Sequence, residues 1–549
     1  MKILFAYHGQ ECLALEYLSA VAKQHGHETK LIFDPGLFSD PELENQWLAK
    51  HCDYVPALLE EAEEFQPDLI GICVLTCLVP WATDLARSLK RITNAPVVVG
   101  GVHVSGAPDL TMAIPEFDYG VVGEGEVPLL RLIEALQGER DLSTVPNLMY
   151  RRDGQVIKNS LGPFPDLKAL PWPDKELFYR ESPHFRHGYT LQASRGCPMQ
   201  CSFCSEHFLS GLSETGRRNP KAYVRLRTVD DVIGELVEQK ARYGFTHVRF
   251  QDDILGHDKA WFREFAPAYK ARVGVPYWCY MYPSLLDQET VDLLVDSGCY
   301  EVQIGVQSLT NIRKDVMRRF ETDDDVIRSI ELFRDTKVAL TVDNIIGVPG
   351  QELEEVLHMA RFYSAHRPDQ LHAFWFTNFP GTNILSIAQE QGYLTDSSLK
   401  EIERKAENGN FYGDTPNYDP ALVKARCFLL FVPFLPERVT NYILSSGLYK
   451  YWPSNRYIFI LARLIQYVAT KRLPAWHTEG RLVYKTRTYL WRLFKRRSAS
   501  VAGGEGPSKR RPVVPKAAPL GAEASVMPSV LPPALSPEAS VAPSALPAP

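Results

Sequence analysis

Residues 195–204 read RGCPMQCSFC and place three cysteines, Cys197, Cys201 and Cys204, within eight positions of a chain that has only ten cysteines. The spacing is C-x3-C-x2-C, and the next cysteine, Cys279, lies far downstream. A structural zinc site needs four ligands and usually takes them from two separated pairs. Three thiolates can instead hold three irons of a [4Fe–4S] cluster and leave the fourth iron open. A zinc site completed by His207, or purely structural cysteines, are the alternatives.

The cysteine loop comes directly after a predicted strand, YTLQASRGC (189–197). From about residue 188 to 395, strands alternate with helices such as DDVIGELVEQKARYG (230–244). The later strands end in HVRFQDD (247–253), YWCYMYP (277–283), EVQIGVQS (301–308), ALTVDNIIGVPG (339–350) and LHAFWFTNFPG (371–381). This alternation predicts a complete or partial (β/α) barrel with its chemistry at the carboxyl ends of the strands. A cysteine loop at the first strand end of such a barrel favours the cluster.

The first 140 or so residues also alternate short apolar strands with amphipathic helices, which predicts a parallel α/β sheet. The predicted strands are KILFAY (2–7), TKLIFD (29–34), DLIGICV (68–74), APVVVGG (95–101) and YGVVGEG (119–125). Ligands of such sheets bind at the carboxyl ends of the strands. The unusual residues cluster there: His8, Gly9, Thr76, Cys77, Gly100, Gly101, Val102, His103, Gly123, Glu124, Gly125 and Glu126. We therefore expect a pocket at this edge.

The bulk composition narrows the class of protein. A net charge of −6 and a pI near 6.2 give no reason to expect nucleic-acid binding. Irregularly spaced cysteines do not form a disulfide framework, which indicates a reducing, cytoplasmic location. The N-terminus MKILFAYHGQ reads as a strand rather than a signal peptide. The sequence contains no run of about 18 or more apolar residues, so no transmembrane helix is expected.

The organisation along the chain follows from these patterns. We expect the sheet domain over 1–145, a linker over 146–187, the barrel over 188–398 and a helical region over 399–498. The linker contains the proline-dense stretch PFPDLKALPWPD (163–174), which suits an extended connector. Residues 499–549 form a Pro/Ala/Ser-rich tail without periodicity, which predicts disorder and no catalytic role.

Two C-terminal stretches, 451–473 and 484–497, combine aromatic and aliphatic residues with many Lys and Arg. The pattern favours a helical cap over the barrel with a solvated basic face. The alternative is an interfacial amphipathic segment that contacts anionic lipid. In that case the protein is peripherally membrane-associated, and its substrate is a lipid or another apolar molecule.

Taken together, these motifs resemble a known family. CPMQCSFC resembles the signature of the radical S-adenosylmethionine (SAM) enzymes, and FQDD (250–253), IGVQS (304–308), IIGVPGQE (345–352) and FPGT (379–382) are similar to its later motifs. VVVGGVH (97–103) and YGVVGEGE (119–126) resemble the cobalamin-binding domain of the cobalamin-dependent branch. The resemblance covers about residues 1–395. It implies a doubly wound cobalamin-binding domain followed by a partial-barrel radical SAM domain.

The resemblance implies a role for each motif residue. Cys197, Cys201 and Cys204 ligate the [4Fe–4S] cluster, and SAM chelates its open iron. The residues expected around SAM are Phe203, Asp252, Asp253, Gln307, Ser308, Asn344 and Gly347. Phe203 lies near adenine, Asp252 or Asp253 accepts hydrogen bonds from the ammonium or ribose, and the later polar groups suit the carboxylate or ribose. Arg318 and Arg319 are candidate carboxylate forks.

The cobalamin side departs from the best-known motif, D-x-H-x-x-G. Residues 6–11 read AYHGQE, so His8 is present while the Asp and the last Gly are absent. An imidazole ligand normally needs a carboxylate or carbonyl behind it, and Ala6 cannot supply one. We therefore expect cobalamin binding that does not depend on His8 as the axial ligand. The remaining residues expected near cobalamin are Thr76, Gly100, Gly101, His103, Gly123, Glu124 and Gly125.

The resemblance implies a radical SAM enzyme that methylates an unactivated carbon of a small-molecule or lipid substrate and receives electrons from a protein such as flavodoxin or ferredoxin. The runner-up is a non-methylating oxidoreductase or cyclase, similar to the anaerobic Mg-protoporphyrin monomethyl ester cyclase. A methylthiotransferase would carry a second three-cysteine cluster, which Cys12, Cys52, Cys73 and Cys77 do not reproduce. A non-catalytic cobalamin sensor would leave the C-x3-C-x2-C loop unexplained.

Overall fold

The computed structural model describes residues 1–36, 54–400, 420–470, 486–488 and 490. A seven-stranded sheet organises the N-terminal part, in the order β2-β1-β3-β4-β5-β6-β7. Its strands are β1 (Lys2–His8), β2 (Glu28–Asp34), β3 (Leu69–Cys73), β4 (Val97–Gly100), β5 (Tyr119–Val121), β6 (Leu148–Arg152) and β7 (Gln155–Lys158). Strands β1 to β5 are parallel, as the sequence predicts, and β6 and β7 form an antiparallel hairpin at the edge. The sheet therefore continues past residue 145, the predicted end of this domain.

Helices cover both faces of this sheet, so its strands are continuous apolar runs. The helices are α1 (Leu13–Gln24), α2 (Val55–Phe65), α3 (Val79–Leu89), α4 (Val102–Gly106), α5 (Pro108–Ala113) and α6 (Glu126–Leu136). The order 2-1-3 puts the point where the strand order reverses between β1 and β3. Ligands of doubly wound sheets bind at that point.

Six parallel strands form the second sheet, a partial barrel in the order β15-β14-β13-β12-β11-β8. They are β8 (Gly188–Leu191), β11 (His247–Phe250), β12 (Tyr277–Met281), β13 (Cys299–Gln307), β14 (Ala339–Ile346) and β15 (Gln370–Trp375). A short antiparallel pair, β9 (Ser194–Arg195) and β10 (Arg225–Leu226), lies beside the first strand end. The partial barrel confirms the fold class predicted for this part of the chain.

The helices of this part of the chain begin and end at sequence signals. They are α7 (Glu176–Tyr179), α8 (Ser205–Ser210), α9 (Glu214–Arg218), α10 (Val229–Tyr243), α11 (Lys259–Arg272), α12 (Gln288–Ser297), α13 (Asn311–Asp315), α14 (Asp323–Phe333), α15 (Leu353–Ala365) and α16 (Ile384–Glu390). Thr228 caps α10 by accepting a hydrogen bond from the Asp231 amide, and Gly244 ends it with a φ of 67°. Thr322 and Asp325 form a capping box at α14.

The connector between the two sheets contains only short turns and helices, Leu167–Ala169, Glu176–Tyr179 and Pro183–His187, and polar side chains fix it to both domains. Lys175 is fully buried, with its Nζ 3.0 Å from Glu11 Oε1 and 2.6 Å from Glu16 Oε2. The other Glu11 oxygen accepts a hydrogen bond of 2.8 Å from Thr190 on β8. Removing one member of such a buried network leaves an uncompensated charge, so the network fixes how the domains meet.

Three C-terminal helices follow, α17 (Pro420–Leu429), α18 (Glu437–Ser446) and α19 (Arg456–Ala469). Helices α17 and α19 contact the edge strand β15, and α18 packs against α15. Arg426 Nε donates to the Ala373 carbonyl at 2.8 Å, and Gln466 Nε2 donates to the Leu371 carbonyl at 2.9 Å. These contacts cover backbone that would otherwise be an open sheet edge. The predicted disordered tail, 499–549, lies outside the described residues, as does most of 484–497. None of the helices in the described ranges has the length and apolar character needed to cross a bilayer.

Candidate cofactor site

The cysteine loop is fixed by backbone contacts on both sides. Gly196 has a φ of 91°, and a Cβ there would lie 2.8 Å from the Tyr223 ring. Ser202 donates from its Oγ to the Val316 carbonyl at 2.6 Å and from its amide to the Met317 carbonyl at 3.1 Å. The loop therefore packs against the segment that follows β13, and it begins where β9 pairs with β10.

The three thiols lie on one short loop and are largely shielded from water, with Cys201 buried and Cys197 and Cys204 half-buried. Burial raises the pKa of all three, that of Cys204 to about 12. The charge of Cys201 further raises the pKa of Cys197 and of Cys204. The thiolate is the metal ligand, so bound iron would stabilise the charged form that burial disfavours. The donor set fits an iron–sulfur cluster.

The geometry does not support the zinc alternative. His207 Nδ1 lies 2.9 Å from Gln200 Oε1, and its Nε2 lies 3.1 Å from Asn383 Nδ2, so both ring nitrogens are engaged. Within the described ranges, no three His, Cys, Asp or Glu side chains are arranged to hold a single metal ion. Cluster ligands each bind a different iron and need not meet at one point.

A buried cation lies against the second cysteine. Arg319 Nη1 is 3.5 Å from Cys201 Sγ, and its Nε is 2.6 Å from Glu321 Oε1. The guanidinium stacks 4.6 Å from the centre of the Tyr282 ring, whose hydroxyl donates to Glu321. Arg318, the neighbouring candidate fork, is exposed. The sequence does not distinguish the two arginines, whereas the structure places only Arg319 at the cysteine loop.

The paired aspartates after β11 are separated by the fold. Asp252 is buried and accepts hydrogen bonds from the Ala193 amide at 3.0 Å and the Ser194 hydroxyl at 2.5 Å. Burial raises its pKa to about 6. Asp253 is exposed, and its charge raises the pKa of Cys197. Asp252 therefore fixes the first strand end, while Asp253 is the carboxylate open to a ligand beside the cysteines.

The polar residues at the later strand ends differ in the same way. Asn344 is fully buried and bonds to the His372 carbonyl at 3.2 Å and the Tyr363 hydroxyl at 2.8 Å. Ser308 is also buried, with its hydroxyl 3.1 Å from that of Thr310. Gln307 is half-buried and has a φ of 66°, a left-handed conformation unusual for a side-chain-bearing residue. Among these three residues, Gln307 is the one that remains open to the site.

Two further predicted residues lie close to the cysteine loop. The Gly347 amide donates to Gln351 Oε1 at 2.7 Å, with a φ of 84°. Phe203 packs against a small apolar cluster that includes Ile312 and Val316. The same cluster includes Ile345 and Val348, on either side of Gly347, so both positions lie in one region of the barrel.

One glycine allows the close backbone packing at the carboxyl edge of the N-terminal sheet. Gly101 has a φ of 105°, and a Cβ there would lie 2.9 Å from the Val74 carbonyl oxygen and 3.2 Å from Cys73 Sγ. At Gly100 the nearest atom to an added Cβ is 3.9 Å away. Only glycine fits at position 101, so the backbone itself forms this part of the edge. This close approach fits a cofactor that packs against the main chain.

The other glycines at this edge are less restrictive. Gly123 has a φ of 79° and donates its amide to Ser105 Oγ at 2.8 Å. A Cβ at Gly125 would lie 3.3 Å from Leu18. These glycines bring the loops after β4 and β5 together.

Two polar residues expected in the pocket bond to each other. His103 Nδ1 lies 3.2 Å from Thr76 Oγ1, and both residues are buried. Burial lowers the pKa of His103 to about 4, so its ring is neutral at pH 7. The two buried side chains therefore bond to each other at the carboxyl edge of the N-terminal sheet.

A carboxylate stands beside His8, although it does not come from the motif position. His8 Nε2 lies 3.8 Å from Asp34 Oδ2, which accepts a hydrogen bond of 3.0 Å from Trp81 Nε1. Asp34 pairs with His8 in the register of β1 and β2. The sequence shows only that Ala6 lacks a carboxylate, because the residue that faces His8 belongs to another strand.

The two strand edges face each other. Arg195, which precedes the cysteine loop, lies 2.7 Å from a carboxylate oxygen of Glu124 and 2.7 Å from one of Glu126. Arg225 also binds Glu124. Burial raises the pKa of Glu124, but hydrogen bonds from Arg225 and the charge of Arg195 outweigh this and hold it below its usual value. Glu124 thus joins the carboxyl edges of the two sheets. The sequence alone does not predict this role, because it depends on which residues Glu124 contacts in the folded chain.

A second contact brings the edges together on the other side of the loop. A Cβ at Gly106, at the end of α4, would lie 2.3 Å from the Pro380 carbonyl oxygen and 3.2 Å from the Phe208 ring. Phe208 is on α8, directly after the third cysteine. The pocket edge of the first domain and the cysteine loop of the second therefore border one common space.

Comparison with known proteins agrees with the fold of both the N-terminal sheet domain and the partial barrel. The sequence matches the B12 binding domain over residues 9–133 and the Radical SAM superfamily over residues 191–363. It is 25% identical over 435 residues to the cytidylyl-2-hydroxyethylphosphonate methyltransferase of Streptomyces wedmorensis, covering 70% of this chain and 78% of that protein. It is 24% identical over 380 residues to the anaerobic magnesium-protoporphyrin IX monomethyl ester cyclase of Synechocystis, covering 67% and 70%.

A solved structure has the same fold. The radical SAM methyltransferase TsrM from Kitasatospora setae, solved with cobalamin and a [4Fe–4S] cluster bound, superposes with a TM-score of 0.58 at 18% identity, covering 81% of this chain and 99% of that one. The cofactors of the family are the [4Fe–4S] cluster, SAM and cobalamin, and the three thiols and the backbone edge at Gly101 fit the first and the last of them. The chain belongs to the radical SAM superfamily, in the branch that carries an N-terminal B12 binding domain.

Proposed function

We propose that this enzyme methylates an unactivated carbon of its substrate. When bound, the cluster and SAM supply a 5′-deoxyadenosyl radical that removes a hydrogen atom, and methylcobalamin supplies the methyl group. The observation that carries the proposal is the contact between the two strand edges through Arg195 and Glu124. It lets one substrate carbon lie between the cysteine loop and the glycine edge.

Different residues of this chain hold the cluster, orient SAM and contact cobalamin. Cys197, Cys201 and Cys204 hold the cluster, and Asp253 and Gln307 are the open polar groups that orient SAM. Gly101 lets the corrin approach the main chain. Buried Asp252 and Asn344 shape the strand ends from behind. A protein such as flavodoxin or ferredoxin supplies the electron.

The test uses SAM whose methyl group carries three deuterium atoms, with candidate substrates and reconstituted protein under anaerobic conditions. Methyl transfer predicts a product with the intact deuterated methyl group, formed only when cobalamin is present. Formation of 5′-deoxyadenosine with an oxidised or cyclised product and no label would contradict methyl transfer. That outcome would favour the second candidate, a radical oxidoreductase or cyclase, which the similarity to the Synechocystis cyclase supports.

The cation beside Cys201 leads to a prediction about the cluster. Replacing Arg319 with Gln removes a positive charge 3.5 Å from a cluster ligand, so the oxidised cluster will be harder to reduce. Net charge and hydrogen bonds to sulfur tune such potentials, and we expect a shift on the order of tens of millivolts to more negative values.

Redox titration followed by electron paramagnetic resonance measures this shift, with Arg319→Lys as the charge-conserving control. The iron content of each variant shows whether the cluster is intact. A potential that is unchanged in Arg319→Gln with full iron content would show that Arg319 only packs the loop.

We also propose that the C-terminal helices contact an anionic membrane surface from which an amphipathic substrate is taken. One face of α19 exposes Tyr457, Leu461, Leu464 and Val468, the last at 68% of its full area. Their spacing places them on a single helical stripe. The sequence beyond α19 is rich in Lys and Arg, so the apolar stripe adjoins a basic segment that suits anionic lipid.

Vesicle flotation tests this contact. The wild type will float with vesicles containing about one third phosphatidylserine, and the Leu464→Ser/Val468→Ser variant will lose most of that binding because each buried apolar side chain contributes roughly 1.5–3 kcal/mol. Val237→Ser/Val295→Ser, which changes two exposed valines on the barrel helices, is the matched control. Equal flotation of all three proteins would exclude α19 as the contact.

A further inference from the structure

The inner face of the barrel is polar and aromatic, unlike its outer face. Outward side chains such as Val248, Phe250, Val302 and Leu340 belong to the main apolar core. Because side chains alternate along a strand, the residues between them point inward. These inward residues include Arg249, Trp278, Tyr280, Gln303, Asp343, His372 and Phe374.

Arg249 stands out among them. It is exposed although it lies within β11, where its neighbours in the register are Thr190 on β8 and Trp278 on β12. It makes no hydrogen bond or ion pair with any residue in the described part of the chain, and its one electrostatic neighbour is Tyr300. An arginine that points into a concave interior without a carboxylate partner presents a fork for an oxyanion.

The inward carboxylates are engaged elsewhere. Asp343 accepts a hydrogen bond of 2.6 Å from Gln303 Nε2, and its other oxygen lies 2.9 Å from His372 Nδ1. Glu301 accepts one of 2.6 Å from Thr341. These contacts link the neighbouring strands β13, β14 and β15. They leave the positive charge of Arg249 available to a ligand.

Aromatic rings line the same interior. Trp278 and Tyr280 stand next to each other on β12, with ring centres 4.6 Å apart. Phe374, on the last strand, is 43% exposed and lies 5.6 Å from the His372 ring. Two half-buried rings on the neighbouring strand β12 and one exposed ring on β15 suit the apolar body of a ligand whose charged end meets the guanidinium.

The stretch of chain that follows Arg249 leads to the cysteine loop. Arg249, Gln251 and Asp253 follow one another at alternate positions, and all three are exposed. Four residues of extended chain span at most about 13 Å. Asp252, next to Asp253, accepts hydrogen bonds from Ala193 and Ser194, which directly precede the cysteine loop, so the far end of this span adjoins that loop.

We propose that Arg249 binds the anionic end, a carboxylate or a phosphate, of an elongated amphipathic substrate whose apolar part lies against Trp278, Tyr280 and Phe374. The reacting carbon then lies beside the cluster loop, at the other end of a backbone span of at most about 13 Å. This names the substrate class of the proposed methyl transfer and therefore depends on it.

Calorimetric titration of the full-length, reconstituted protein tests the site without turnover. The probes are octanoate, octyl phosphate and the neutral isostere octanol. We expect at least one anion to bind the wild type more tightly than octanol does. Arg249→Gln will weaken that anion about 10- to 100-fold, because a charge-assisted hydrogen bond is lost, and Arg249→Lys will weaken it less. The preferred anion identifies a carboxylate or a phosphate.

Arg438→Gln, which removes an exposed arginine from α18, is the matched control and will bind the probes like the wild type. Iron content checks that each variant is folded. Binding of octanol as tight as that of both anions, no measurable anion binding by the wild type, or wild-type affinity in Arg249→Gln would each overturn the proposal. Anion binding that depends on Arg249 without transfer of a labelled methyl group would instead contradict the proposed methylation alone.

Discussion

Alanine in place of Cys197, Cys201 and Cys204 will reduce bound iron from about four atoms per chain to none and will abolish SAM cleavage. The reason is geometric. The three cysteines stand on one loop that Ser202 fixes through hydrogen bonds to the Val316 and Met317 carbonyls, and alanine offers no thiolate to hold iron. His207 cannot substitute, because both of its ring nitrogens already have partners. Iron analysis, the cluster absorption spectrum and 5′-deoxyadenosine formation measure the effect.

Cys77→Ala is the matched control, since Cys77 is exposed and lies on the other domain. It will keep full iron content. Each single replacement in the loop will also destroy SAM cleavage, because a cluster with two cysteine ligands does not present one open iron in a fixed place. Four irons retained by the triple variant would refute the assignment of the loop.

The strand ends could be predicted from the sequence because the residue type changes where each strand ends. Continuous apolar runs such as VVVG (97–100) mark strands buried on both faces, and glycine or polar residues follow each run. Parallel strands bring those ends to one edge, so the motif residues meet without further information. The fold class and the placement of the cysteine loop follow from this.

The partners of individual side chains could not be predicted in this way. Asp252 and Asp253 are adjacent in sequence, but only the packing of the first strand end decides which of them is buried. The pairing of Arg195 with Glu124 joins two domains, and Asp34 reaches His8 only through strand register. Such contacts depend on tertiary packing, for which local sequence carries no signal. Arg249 was missed for the same reason, since one arginine in a strand is ordinary until its inward direction is known.

The sharpest test of the cobalamin side compares Gly101→Val with His8→Ala. Valine at 101 must adopt a φ of 105° and place its Cβ 2.9 Å from the Val74 carbonyl oxygen. Such strain costs roughly 1–3 kcal/mol before any lost contact with the corrin is counted. We therefore expect cobalamin affinity to fall at least about tenfold, a factor that corresponds to roughly 1.4 kcal/mol. Gly100→Ala, with its nearest neighbour at 3.9 Å, is the matched control and will bind normally.

His8→Ala will have the smaller effect. The His8 ring packs 5.4 Å from Trp81, and its Nε2 lies 3.8 Å from Asp34, so the side chain already has partners within the sheet edge. Losing an axial ligand or its support would weaken metal binding by roughly 10- to 100-fold, whereas we expect less than this. Cobalamin titration of the three variants measures the affinities, and the cob(II)alamin electron paramagnetic resonance spectrum reports whether a nitrogen ligates cobalt. A nitrogen hyperfine splitting that is present in the wild type and absent in His8→Ala would establish His8 as the ligand, and Asp34 would then be the carboxylate that orients it.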